Sequence, residues 1–141
     1  MNDLYFRPFQ RNINPEDLLS LINTESADVL EIDFLSLLAK RREERRIWSQ
    51  ILELRKDEYE TLKRLYTDLT SSKPKVNQEI FQPPGSYQEG VENQLQRHKN
   101  REQKLLKLKN EAEDPNTLET INNLIGMIEY EENLLEQIGT N

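Results

Sequence analysis

Apolar residues recur at helical spacing in several blocks of this chain, and Pro, Gly and Asn punctuate the gaps between them. The first block, 15–22, offers Leu18, Leu19, Leu21 and Ile22. Ahead of it, Asn14-Pro15-Glu16-Asp17 supplies a capping amide, a Pro at the first helical position and two acids at the positive end of the helix dipole. A polar turn follows, and Asp28 with Glu31 three residues on reads as a second helix start. From there to Leu69 the chain contains neither Pro nor Gly, and a broad apolar face runs from Leu30 and Phe34 through Trp48 to Leu69. The pattern predicts one helix over 28–69, about 60 Å long at a rise of 1.5 Å per residue. Its stripe is interrupted between Ala39 and Ile47, where Arg41 and Arg45 occupy the apolar face, which marks a place for a bend.

Residues 70–85 form a long Pro-containing connection that must carry the chain back, with Ile80 and Phe81 as its apolar anchors. Ser86 and Glu89 then make a capping box for a helix over 87–113. Asp114-Pro115-Asn116 breaks that helix and starts another, which runs to Ile138 with Gly139 placed as its C-cap. Apolar spacing sets an antiparallel register for this hairpin. Val91, Leu95, His98, Glu102, Leu105, Lys109 and Ala112 should face Ile138, Leu135, Glu132, Ile128, Ile125, Ile121 and Leu118, in that order.

The expected architecture is therefore all-α: an elongated bundle with one long central helix packed against an antiparallel C-terminal hairpin, plus a short N-terminal helix. Residues 48–141, including the linker 70–85, should form a three-helix bundle. Residues 1–47 should project beyond it as an aromatic arm, a short helix and the first half of the long helix.

Composition adjusts this picture modestly. The hydrophobic share is 35% and the charged share 32%, which favours apolar stripes on helices over a thick globular core. With no Cys there can be no disulfide and no thiolate ligand or nucleophile. The start, MNDLYFRPFQ, lacks a continuous apolar segment, and no run approaches membrane-spanning length. A soluble, cytoplasmic chain is the expectation, with a nuclear location open as well if the source is eukaryotic. Net charge is −7, but it is segregated: 40–46 and 97–109 are basic, whereas 111–141 contains acids and no Lys or Arg.

Candidate chemistry is sparse. No phosphate loop or nucleophile motif occurs, the Glu-x-x-His pairs of a di-iron bundle are missing, and no catalytic residue, metal site or cofactor is expected. His98, the single histidine, has Glu102 and Glu132 as its nearest candidate neighbours and reads as a polar layer in the hairpin seam, its pKa raised by the two carboxylates unless burial dominates. The leading functional reading is a noncatalytic scaffold or adaptor subunit that binds a protein partner or itself. Its contact residues would be Tyr5, Phe6 and Phe9 of the arm together with Phe34, Leu37 and Leu38, because aromatic and apolar side chains dominate binding hot spots. The alternative is a nucleic-acid-associated factor. It would use Arg41, Arg42, Arg45 and Arg46, and a stripe of Arg97, Arg101, Lys104 and Lys107 expected opposite the seam. Neither a membrane nor a small-molecule substrate is suggested.

Overall fold

The computed structural model describes residues 13–139, and every regular element among them is helical. The elements are α1 (Pro15–Ile22), α2 (Glu25–Leu38), α3 (Arg42–Thr70), α4 (Tyr87–Glu111) and α5 (Pro115–Gly139). None of the described helices is long and apolar enough to cross a membrane. The all-α bundle expected from the spacing is what forms. The predicted arm residues Tyr5, Phe6 and Phe9 lie outside the described residues.

Local signals set several boundaries. The Asn14 side chain accepts the Glu16 N–H at 3.0 Å, and Ser86 Oγ accepts the Glu89 N–H at 3.1 Å. At the start of α5 the cap is Asp114, whose carboxylate takes the Thr117 N–H at 2.9 Å, two residues earlier than the expected Asn116. α3 ends with Ser71 in the left-handed region at φ 60°.

The long central helix is broken. α2 stops at Leu38, Ala39 and Arg41 are extended, and α3 begins at Arg42. The break falls where arginines interrupt the apolar stripe, and Arg45 caps it by donating to the Ala39 and Lys40 carbonyls at 2.8 and 3.1 Å. The corner lets α2 turn back along α3 and against α4 instead of projecting past the bundle. Folding back buries a helix that would otherwise leave its apolar face in water. α2 also starts at Glu25, so Asp28 and Glu31 are not a cap; both point inward and are buried. α4 approaches α2 closely at Gly90, where an added Cβ would run into the Leu35 side chain and sit 3.1 Å from Pro84.

The connection 70–85 crosses the α1–α2 junction. The Asn77 and Glu79 N–H groups donate to Asn23, Gln78 accepts the Ser26 N–H at 2.9 Å, and Phe81 packs edge-on against Phe34 with ring centroids 6.2 Å apart. Phe81 is thus an anchor as expected. Ile80 is not; it is 83% exposed.

The hairpin forms. Val91, His98 and Leu105 of α4, Ala112 at its C-cap, and Ile121, Ile128, Leu135 and Ile138 of α5 are buried as expected, whereas three seam positions on each helix are not. On α4, Gln94, Arg101 and Leu108 are buried where Leu95, Glu102 and Lys109 were expected. On α5, Thr117, Leu124 and Glu131 take the buried positions next to Leu118, Ile125 and Glu132. Each shift is by one residue. A seam drawn for two helices alone ignores the others, and here α4 also faces α2 while α5 also faces α3. The buried stripe of each helix turns toward the additional neighbour.

The interior consists of two apolar clusters. One gathers α1 with Tyr59, Leu62 and Leu65 of α3, Leu105 and Leu108 of α4, and Ile121, Leu124 and Ile128 of α5. The other sits at the α2–α3 corner around Ile32, Leu35, Trp48, Ile51, Val91 and Leu135. Between them, in the sequence of every long helix, lies a polar stretch.

Candidate functional site

That stretch folds into a buried charged layer. α2 contributes Asp28 and Glu31, α3 contributes Arg55, Glu58 and Tyr59, α4 contributes Gln94 and Arg101, and α5 contributes Glu131; none is more than 5% exposed. Arg55 is its hub. Its Nη1 donates to both Asp28 oxygens at 2.8 Å and to Gln94 Oε1 at 3.0 Å, and its Nε donates to Glu131 Oε2 at 2.9 Å. Asp28 also accepts from Tyr59 Oη at 2.8 Å, from Arg101 Nη2 at 3.0 Å and from Gln94 Nε2 at 3.0 Å. Gln94 reaches on to Glu31 at 2.7 Å. One aspartate thereby gathers side chains from α3 and α4.

The layer fixes its own protonation pattern. Burial alone would raise the Asp28 pKa, but the charges of Arg55 and Arg101, with hydrogen bonds from Arg55 and Tyr59, hold that carboxyl well below the usual range. Burial and the Asp28 charge push the Tyr59 phenol upward. Glu58 goes the other way from Asp28: burial first, then the facing Glu131 carboxylate, raises it well above its ordinary value. Both Glu58 oxygens and Glu131 Oε1 otherwise lack a donor. A proton held by Glu58 and donated to Glu131 supplies that missing hydrogen bond.

His98 lies beside the layer, 4% exposed, with neither ring nitrogen hydrogen-bonded. Burial dominates here, the case in which the pKa was not expected to rise. Burial and the positive charges of Arg55 and Arg101 outweigh the pull of Glu131 and Glu132, and the pKa is lowered. The expected juxtaposition of His98, Glu102 and Glu132 forms, but at the edge of the core, since Glu131, not Glu132, is the α5 acid that is buried. Glu102 is half-buried and Glu132 exposed, yet one donor atom from each of the three residues lies within 4.8 Å of the others.

The basic stripe expected on α4 does not assemble. Arg101 is buried against Asp28 and Glu58, and Arg97 pairs with Glu79 and Glu31. Lys104 and Lys107 stay exposed, Lys107 within 3.9 Å of Glu111. The sequence expectation put Arg101 on the outer face because the seam was drawn one residue off. At the other basic stretch, Arg41, Arg42, Arg45 and Arg46 are all exposed around the α2–α3 corner.

Beside that corner is a groove of about 670 Å³ lined by Leu38, Tyr87, Val91, Leu95 and Ile138, with Lys40 and Arg41 on its rim. Its floor is held by a relay in which Trp48 Nε1 donates to Tyr87 Oη at 2.9 Å and Tyr87 Oη donates to Glu44 Oε1 at 2.6 Å. Burial and the Glu44 carboxylate push the Tyr87 phenol up to about 12. Of the three described residues expected to meet a partner, Phe34 packs edge-on against Phe81 and is half-buried. Leu37 and Leu38 remain 76% and 39% exposed. Leu95, expected in the seam, is exposed at this groove as well.

Arg55, Glu58, Gln94 and Glu131 were not singled out from sequence, and Asp28 was read only as a cap. A signal existed: Trp48, Ile51, Leu62 and Leu65 are stripe positions on α3, and Arg55 and Glu58 continue the same three- and four-residue steps between them. Two opposite charges inside an apolar stripe require buried partners. No protein-family model matches the chain, and no curated protein or solved structure shows significant similarity to it.

Proposed function

We propose that the protein is a noncatalytic helical adaptor that binds a partner protein at the α2–α3 corner. The observation that carries this reading is that the exposed Leu38 and Leu95 line an apolar groove, with the exposed Leu37 next to Leu38 in the sequence. Single exposed leucines are ordinary on a monomer surface, whereas several around one concavity mark an interaction site. Lys40, Arg41 and Arg42 rim or flank this site and are exposed, so the partner that fits is an amphipathic helix with acidic flanks. The charged layer supports the same reading. Its groups face one another, and they serve to hold the helices in register instead of meeting a substrate.

Site-specific photocrosslinking in cells tests the proposal, with the crosslinker at position 37 and a control at Leu106, which is also exposed but lies on α4 away from the groove. A single protein should be captured at 37 and not at 106. Its purified form should bind through an acidic helix and lose affinity with Leu38→Asp or Arg41→Glu. Equal capture at both positions, or capture unaffected by these substitutions, overturns it. Capture of a second copy of this chain would overturn the separate-partner reading in favour of self-association.

A further inference from the structure

We propose that His98, Glu102 and Glu132 form a binding site for a divalent first-row transition-metal cation, with Zn²⁺ the best-suited ion, bridging α4 and α5. His98 and Glu102 are four residues apart on α4 and therefore lie on one helix face. Glu132 comes from the facing helix α5, and a donor atom of each residue lies within 4.8 Å of the other two. Ligands about 2.0–2.2 Å from a tetrahedral zinc stand roughly 3.5 Å apart, a distance that rotation of two glutamate side chains can close.

The chemistry of the donors favours this ion class. An imidazole with two carboxylates suits zinc and its first-row neighbours, whereas magnesium and calcium prefer oxygen donors alone. The histidine supplies the decisive observation. It is 4% exposed and neither ring nitrogen has a hydrogen-bond partner, a costly arrangement for a polar ring unless one nitrogen has something to coordinate. Neither Glu102 nor Glu132 is held in an ion pair with a described Lys or Arg, so both carboxylates are available. Arg55 and Arg101, whose charges act on His98, are already paired with Asp28, Glu131 and Glu58 and not with Glu102 or Glu132. Burial falls from His98 to Glu102 to Glu132. A bound cation would sit at the surface end of the cleft, with its remaining coordination positions toward solvent. Three protein ligands leave a fourth tetrahedral position for water.

Calorimetric titration of the full chain with Zn²⁺, paralleled by Co²⁺ uptake followed in the visible spectrum, tests the assignment. The expected result is one cation per chain, a thermal midpoint that rises with Zn²⁺, and no competition from Mg²⁺. Glu132→Gln changes an exposed residue, so the fold should persist, while affinity falls by at least about tenfold, the scale of losing even an outer-shell partner. His98→Gln should abolish the Co²⁺ spectrum. Glu129→Gln, on an exposed position of the same helix, should leave binding unchanged. No uptake at one equivalent overturns the site, as does equal weakening by Glu129→Gln and Glu132→Gln, which would signify diffuse attraction to an acidic helix.

Discussion

The apolar cluster around α1 and the charged layer beside it are equally buried but are built by opposite rules. In the cluster, Leu18, Leu62, Leu105 and Ile121 are 2% exposed or less and have no directional requirement; losing one leaves its neighbours intact and partly able to relax. In the layer, Arg55 meets Asp28, Gln94 and Glu131 at once, and each of those depends on it to justify its own burial. Replacing a buried charged set wholesale by apolar residues can be neutral, whereas removing one member strands the rest. We expect the cluster to supply net stability and the layer to select which helix faces meet.

The largest effect that would expose this difference is Arg55→Leu. It leaves Asp28 with Arg101 as its remaining cation and Glu131 with none in contact, and should destabilise the fold by about 4 kcal/mol in denaturant titration. Leu105→Ala, in the apolar cluster, should cost roughly 3 kcal/mol from lost transfer energy and a residual cavity. The two values are close, so the sharper distinction is their repair. Adding Asp28→Asn and Glu131→Gln to Arg55→Leu should recover a large part of the loss, because the stranded charges are gone. A triple variant no more stable than Arg55→Leu alone would break the comparison and make the layer a packing element like the cluster.

The same contrast explains what the sequence disclosed. Aliphatic periodicity announced the helical class, the hairpin and most helix ends, because a repeating apolar stripe and a local cap are properties of a short segment. The caps at Asn14 and Ser86 needed no tertiary information. Asp28 was misread for the complementary reason: an acid followed three residues later by Glu31 has the pattern of a capping box, and only the fold-back of α2 reveals that both carboxylates face Gln94. Three seam positions on each hairpin helix were placed one residue off because the further neighbours of a helix leave no mark in its own periodicity. Arg101 moved from an expected surface stripe to the core by that single step. The exposed leucines at 37 and 38 were legible as an apolar excess. The groove beside them was not, since Tyr87, Leu95 and Ile138 come from the distant ends of two other helices.

The finest prediction concerns Glu58, where the layer couples to pH. Its folded pKa is raised by burial and by the facing Glu131 carboxylate, while an unfolded Glu titrates near 4.3. A raised folded pKa means that folding takes up a proton. The stabilisation from the Glu58–Glu131 hydrogen bond is complete below the unfolded value and is lost as pH rises through the folded one. Asp28 has the opposite sign: its depressed pKa contributes stability above the unfolded value of about 3.9, and this is lost as pH falls through the folded pKa. Glu58→Gln keeps a neutral hydrogen-bond donor toward Glu131 and removes the uptake. At pH 4 the variant should match the wild type to within about 1 kcal/mol. Above the unfolded pKa it should gain on the wild type by up to about 1.4 kcal/mol per pH unit until the folded pKa is reached. Chemical denaturation of both proteins between pH 4 and 8 measures this directly. Parallel stability curves would mean that Glu58 is ionised in the folded protein, and the shared proton would then have to be withdrawn from the layer.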